Sequence, residues 1–332
     1  KNSDYENISA ELETLRKKFP YIYNIETTNY CNMKCVMCPR TMFMTRKNIW
    51  IDDKLFEKII SNVKTHDQKS LEYFWHWVEN DYDQKVNEVS ENGFYFSVIS
   101  RHLVLHGFGE PFLDKKLIQR IELCTKKKIP TYFSCTPATM TVEKAEKAME
   151  AGLGVLKFSL DAIKEIRGKK ADFADSIEKI LKLLDIKKKK NFKTLLVPCM
   201  IDLAAGPNDT DMHKKFLEFW SDKDVFAYIK SQDNRYMYEN DKDLKNKSHY
   251  SKQYCEFPWL SVSIMADGNV VPCTQISNHE LVLGNINKNT LEEIWNGKKY
   301  QELRRMHISG KFPKGHKCNE KCDMKKIYQY LS

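Results

Sequence analysis

No apolar run in the 332-residue sequence approaches the roughly 18 residues that a membrane-spanning helix needs. Nothing in it resembles a secretory signal peptide either, so a soluble, cytoplasmic chain with no membrane partner is expected. Proline- or glycine-rich linkers, internal repeats and low-complexity tracts are also missing, as suits a chain with only 12 glycines and 10 prolines. Charge of one sign is never gathered into a long tail. The formal net charge of +9 is spread through lysine-rich stretches, densest at Lys187-Lys188-Lys189-Lys190, and such a run reads as a solvated helix end. No nucleic-acid partner is expected, and the charge alone does not define an anionic substrate. With 42% hydrophobic residues the chain can build one large or two moderate cores.

Cysteine is not scarce. There are 10, and in a chain without a secretory signal they point to metal or redox chemistry before disulfides. Cys31, Cys35 and Cys38 stand at C-x3-C-x2-C, just after an apolar run (Tyr21, Ile22, Tyr23, Ile25) that reads as a strand. Zinc would want a second C-x2-C or histidines close by, which are absent. Ferredoxin runs use C-x2-C-x2-C, a different spacing. Three thiolates on one loop can hold three corners of a [4Fe–4S] cluster, which normally takes four cysteines. A metal left one ligand short can bind a small molecule.

Beyond this loop, strand and helix patterns alternate. Ile51-Asp52-Asp53 opens a helix with apolar Leu55, Ile59, Ile60 and Val63. Strands are expected at Leu103–Leu105, Thr131–Cys135, Val155–Leu160, Thr194–Ile201 and Val225–Ile229. Helices are expected at Lys115–Lys127, Val142–Ala151, Ala174–Ile186 and Asp211–Trp220. This order predicts a parallel sheet with right-handed crossovers. Six such units make an α/β fold of the open (β/α)6 kind, a partial TIM-like barrel, with chemistry at the C-terminal strand ends. The domain plan is a helical cap over 1–20, the barrel over 21–235 and a small C-terminal unit over 250–332. An aromatic-rich insertion over 66–100, either a lid or a packing decoration, interrupts the barrel.

At those strand ends stand His106-Gly107-Phe108-Gly109-Glu110-Pro111, then Ser134 and Cys135, then Ser159 and Asp161, then Cys199. Beyond residue 240 the rhythm stops. Cys255, Gly268 and Cys273 form C-x12-G-x4-C around an expected hairpin, Leu260–Ile264 with Asn269–Val271, turning at Ala266-Asp267-Gly268. An amphipathic helix over Leu291–Met306 and Cys318-x3-Cys322 follow. Four cysteines can close a coordination sphere, and on the residues alone a zinc site and an iron–sulfur cluster are equally compatible. Cys124 reads as a core residue on a helix face; Cys135 and Cys199 end strands and could instead face a substrate.

The C-x3-C-x2-C loop after a first strand resembles the signature of the radical S-adenosylmethionine (SAM) superfamily, whose fold is a partial barrel. His106–Pro111 resembles that family's GGEP motif, although Phe108 separates the glycines, and Ser159-Leu160-Asp161 resembles its strand-four Ser-x-Asp. Residues 255–322, with Leu291-Glu292-Glu293-Ile294-Trp295, are similar to its SPASM/Twitch extension. The resemblance implies SAM and two [4Fe–4S] clusters, one on Cys31, Cys35 and Cys38 and one on Cys255, Cys273, Cys318 and Cys322. It implies SAM contacts at Gly107, Gly109, Glu110, Ser134 and Ser159, with Glu110 at the SAM ammonium group, and a substrate or SAM contact at Asp161. It further implies a flavodoxin- or ferredoxin-type reductant and reductive cleavage of SAM to a 5′-deoxyadenosyl radical. The cysteine pattern is similar to that of aminocyclitol-oxidising relatives, so a dehydrogenase of a sugar-like or aminocyclitol alcohol is expected. An epimerase with Cys199 or Cys135 as hydrogen donor, or a peptide maturase, is the alternative.

Overall fold

The computed structural model describes residues 13–14, 16–35, 38–64, 69, 72, 76, 89–94, 101–160, 173–202, 207–231, 255 and 257–320. Most of the expected N-terminal cap, most of 66–100, Asp161 and Cys322 lie outside the described residues. Six parallel strands carry the fold: β1 (Tyr21–Ile25), β2 (Leu103–Val104), β3 (Thr131–Cys135), β4 (Val155–Leu160), β5 (Leu195–Asp202) and β6 (Tyr228–Ser231). They pair in chain order, β1 with β2 through β5 with β6, the arrangement of a partial barrel left open. No described helix is long and apolar enough to cross a membrane.

Helices α1 (Pro39–Met42), α2 (Asp53–Ile60), α3 (Leu117–Lys126), α4 (Val142–Glu150), α5 (Phe173–Lys190) and α6 (Pro207–Trp220) connect the strands. Local chemistry starts them. The Asp52 carboxylate accepts the Leu55 N–H and Thr141 accepts the Lys144 N–H, satisfying donors that a helix start leaves orphaned. Leu55, Phe56, Ile59 and Ile60 then bury one stripe of α2. Strand side chains alternate between two faces. Leu105, Phe133, Leu156, Phe158, Leu160, Leu196 and Met200 pack outward with Ile121, Cys124, Ala145, Ala148 and Leu183 of the helices. Val104, Tyr132, Val155, Val197, Cys199 and Tyr228 gather on the opposite, concave face.

Two expected elements are corrected, and the place of the hairpin is new. The C-terminal hairpin joins the barrel sheet: β7 (Ser261–Ile264) pairs in parallel with β1, and β8 (Asn269–Val271) and β9 (Gly284–Asn285) continue it, nine strands among the described residues. The single helix expected over Leu291–Met306 is two. After a short turn α7 (Phe257–Leu260), α8 (Leu291–Trp295) opens on a Thr290/Glu293 capping box, and α9 (Lys298–Ser309) starts after Gly297. A Cβ at Gly297 would sit 2.7 Å from the Glu293 carbonyl, so a bare residue marks the break. The sixth strand begins at Tyr228 rather than Val225, because the Val225 N–H is taken by the Lys223 carbonyl in a turn. Ile294, Trp295, Tyr300 and Leu303 enter the same core as the barrel helices.

Candidate active site

The cysteine loop leaves the C-terminal end of β1 and is pinned by its own polar residues. Asn29 accepts the Ile49 N–H at 2.6 Å, donates to the Lys47 carbonyl at 2.9 Å, and through its own carbonyl accepts Arg40 Nε at 2.9 Å. Thr28 Oγ1 accepts the Tyr30 N–H and donates to the Ile49 carbonyl, each at 3.0 Å. Cys35 is buried, Cys31 and Cys38 are half-buried, and all three pack around Met33. The Cys38 N–H donates to the Cys35 carbonyl, and Pro39, which has no N–H to lose, starts α1. Burial pushes the Cys31 thiol up to about 11, opposed in part by the Met33 N–H. A metal cation bound there would favour the thiolate.

The loop after β2 folds directly onto this one. The Glu110 N–H donates to the Tyr30 carbonyl at 2.7 Å. Glu110 is buried, and its carboxylate accepts the N–H groups of Phe112 at 3.3 Å and Thr136 at 3.0 Å, so it ties the ends of β2 and β3 together. Its charge lies close enough to Cys31 to oppose thiolate formation. A Cβ on Gly107 would meet the Glu26 side chain at 2.8 Å, so only a bare backbone passes there.

Glu26 sits under both loops, bound to Arg46 by two 2.8 Å contacts, with both side chains about 3% exposed. The same carboxylate accepts the N–H groups of Phe108 and Ala266 at 3.2 Å. Arg46 also donates through Nε to the Ser277 carbonyl at 2.7 Å. One ion pair thus joins the cysteine loop, the Gly107–Glu110 loop and the C-terminal hairpin. Sequence reading missed it because no spacing connects positions 26, 46 and 277.

On the concave face Ser134 Oγ and Ser159 Oγ lie 3.1 Å apart across adjacent strands, both half-buried. Register sets Ser159 opposite Cys199 and Cys199 opposite Tyr228, so the three share a layer. Cys199 Sγ donates to the Met200 carbonyl at 3.8 Å, and the Tyr228 phenol is pushed well above its usual range, first by burial and then by the neighbouring Cys199. Cys135 points the other way, into the helix-facing core. Beneath lies Lys157, buried, with its ammonium 5.5 Å from the Phe94 ring and 5.3 Å from the Tyr228 ring. His106 accepts the Ser134 N–H at Nδ1 and meets Tyr132 edge-on. Sequence reading passed over Lys157, although a lysine inside Val-Leu-Lys-Phe-Ser-Leu was its visible signal. Phe94, from the edge of the aromatic insertion, packs against Tyr132 and Tyr228.

In the C-terminal segment Cys255 is buried, and Cys273 and Cys318 are half-buried. Cys273 packs with Met265, Val271 and Ile276 just past β8, and Cys318 packs on the main core. Among the described residues no three His, Cys, Asp or Glu side chains converge on one point that would hold a single metal ion. The donor set fits a cluster better than an ion: Cys31, Cys35 and Cys38 are in no disulfide and share one loop at the C-x3-C-x2-C spacing. Among the described residues no fourth cysteine shares this loop.

The fold places three thiols beyond the C-terminal end of a parallel strand, where α/β enzymes of this kind carry their chemistry. The sequence matches the family model of the radical SAM superfamily over residues 25–219, and that of an iron–sulfur cluster-binding domain, SPASM, over residues 255–323. The chain therefore belongs to the radical SAM superfamily and carries a SPASM domain. No curated protein sequence matches it. Among solved structures it is similar to BtrN in complex with AdoMet and 2-DOIA, with 16% identity, TM-score 0.51 and 89% of each chain covered. It is also similar to anSMEcpe with bound AdoMet and Cp18Cys peptide, with 16% identity, TM-score 0.54, and 93% of this chain and 86% of that one covered. At these identities the likeness is one of fold.

Proposed function

We propose that this radical SAM enzyme is an oxidoreductase that oxidises an alcohol of a small sugar-like or aminocyclitol substrate to the ketone. Cys31, Cys35 and Cys38 would hold the cluster that binds SAM, and Cys255, Cys273, Cys318 and Cys322 a second one that accepts the electron left on the substrate. When bound, cluster and SAM supply a 5′-deoxyadenosyl radical, the oxidant that takes the carbinol hydrogen atom; the chain's part is to bind, aim and exclude water. Gly107 and Gly109 would present bare main chain to SAM. Glu110 would hold that main chain from behind while placing negative charge near the SAM ammonium group. Asp161, two residues beyond Ser159, would take the hydroxyl proton.

The observation that carries this reading is the Ser134–Ser159 hydroxyl pair at 3.1 Å, set at strand ends above an aromatic floor and assigned here to the substrate instead of to SAM. Paired hydroxyls match a polyhydroxy ligand's donors and acceptors, and the two neighbouring folds hold AdoMet with 2-DOIA or with a peptide. The test is anaerobic turnover with SAM, dithionite and a panel of aminocyclitols and hexoses. One ketone per 5′-deoxyadenosine supports the proposal; an unoxidised isomer of the substrate, heavier only by the deuterium taken from D2O at one carbon, contradicts it.

A second reading is favoured by the position of Cys199, which faces the concave side in the same layer as Ser159. A thiol there can return a hydrogen atom to a substrate radical from the far face, which would make the enzyme an epimerase.

A further inference from the structure

The proposed chemistry consumes one electron for each SAM cleaved, and that electron must reach Cys31, Cys35 and Cys38 from outside. One surface leads there. Tyr30, the residue before Cys31, stacks its ring on Trp50 with centroids 3.9 Å apart and planes 20° from parallel. Trp50 is 41% exposed, yet it is fixed in place, its Nε1 donating to the Leu113 carbonyl at 3.0 Å. Held in this way, the tryptophan presents a fixed aromatic face to solvent. Met42, on the turn that follows Cys38, is exposed as well.

The rim of this aromatic pair is basic. Lys115 lies 5.7 Å over the Trp50 ring, Lys34 and Lys47 are exposed, and Arg40 is anchored to Asn29 beside Tyr30. The carboxylate of Asp53 close by is already engaged by Lys116 and Arg120, so it does not cancel the field. Exposed Asp52 accepts the Leu55 N–H and keeps its charge, one carboxylate against four basic side chains.

We propose that this face, Trp50 on Tyr30 framed by Lys34, Arg40, Lys47 and Lys115, is where a small acidic one-electron carrier protein of the flavodoxin type docks. The reduced carrier loses one electron and the cluster gains it; no covalent bond forms. The stacked rings shorten the gap between the docked carrier and the Cys31 corner, and the lysines steer an acidic partner onto them. This inference rests on the radical SAM reading above.

The experiment uses reconstituted full-length protein and follows 5′-deoxyadenosine with two reductants: flavodoxin with its reductase and NADPH, and dithionite, a small molecule that needs no docking site. K47E/K115E should be slower by about tenfold or more with flavodoxin at low salt, and unchanged with dithionite. Added salt should slow the flavodoxin-driven wild type and narrow that difference. W50A should likewise lose rate only with flavodoxin, at unchanged iron content. Equal flavodoxin rates in wild type and K47E/K115E would overturn the proposal, as would a parallel loss with both reductants or a wild type that cleaves SAM with dithionite but not with flavodoxin. A wild type that makes no 5′-deoxyadenosine even with dithionite contradicts the radical SAM reading itself, a separate result.

Discussion

Gly109 passes so close to Thr28 that a Cβ built on it would lie 2.1 Å from the Thr28 carbonyl oxygen and 2.8 Å from that of Tyr30. The two loops of the site are therefore packed main chain on main chain. Backbone carbonyls cannot swing aside as a side chain can, so Gly109→Ala forces the loops apart. Overpacking of this kind costs about 1–3 kcal/mol. The variant should melt lower than wild type and bind SAM more weakly, read by thermal unfolding and equilibrium dialysis. An unchanged SAM affinity would show that the contact does not shape the cofactor site.

Arg46 neutralises a carboxylate with almost no access to water. Arg46→Ala leaves Glu26 buried and uncompensated, a loss of about 3–5 kcal/mol, read as a shift of the denaturant midpoint. Replacing both residues by Leu and Met removes the stranded charge and should recover part of that loss. The recovery stays incomplete, because the Phe108 and Ala266 N–H groups then lose their acceptor, at about 1–3 kcal/mol for each unsatisfied donor.

Cys124 is a buried core thiol on α3. Burial pushes it up to about 12 from the ordinary 9.0, opposed by Arg120 and Lys127. The unfolded thiol ionises first as pH rises, so its contribution to stability is full below about pH 9 and is lost progressively towards pH 12. Cys124→Ala should flatten the fall of the denaturant midpoint across that window relative to wild type. The native thiol should also resist iodoacetamide at pH 8.

Much of this was legible in the sequence because it is local. The C-x3-C-x2-C loop, the Gly-Glu-Pro turn and the alternating strands and helices each need only neighbours in the chain. What could not be read depends on pairing across long separations. Parallel pairing of β7 with β1 brings Ser261 opposite Tyr21, and no periodicity announces which edge a late hairpin will join. The Glu26–Arg46 pair and the Tyr30–Trp50 stack are likewise products of that packing. Face was legible only once strand ends were known: Cys135 and Cys199 look alike in sequence, yet alternation sends one to the helices and the other to the concave side.

Cys199→Ala separates the two readings of the reaction. If the product is a ketone, the variant should keep turnover within a few-fold of wild type. Loss of product with 5′-deoxyadenosine formation retained would assign Cys199 as the hydrogen donor of an epimerase.

The account stands most directly on the iron and SAM chemistry of the reconstituted protein. Two clusters predict about eight iron atoms per chain, falling to about four when Cys31, Cys35 and Cys38 are all changed to Ala. Dithionite and SAM should yield methionine and 5′-deoxyadenosine only in the wild type. A colourless, zinc-loaded protein that leaves SAM intact, or a triple variant that still cleaves it, would contradict the central claim.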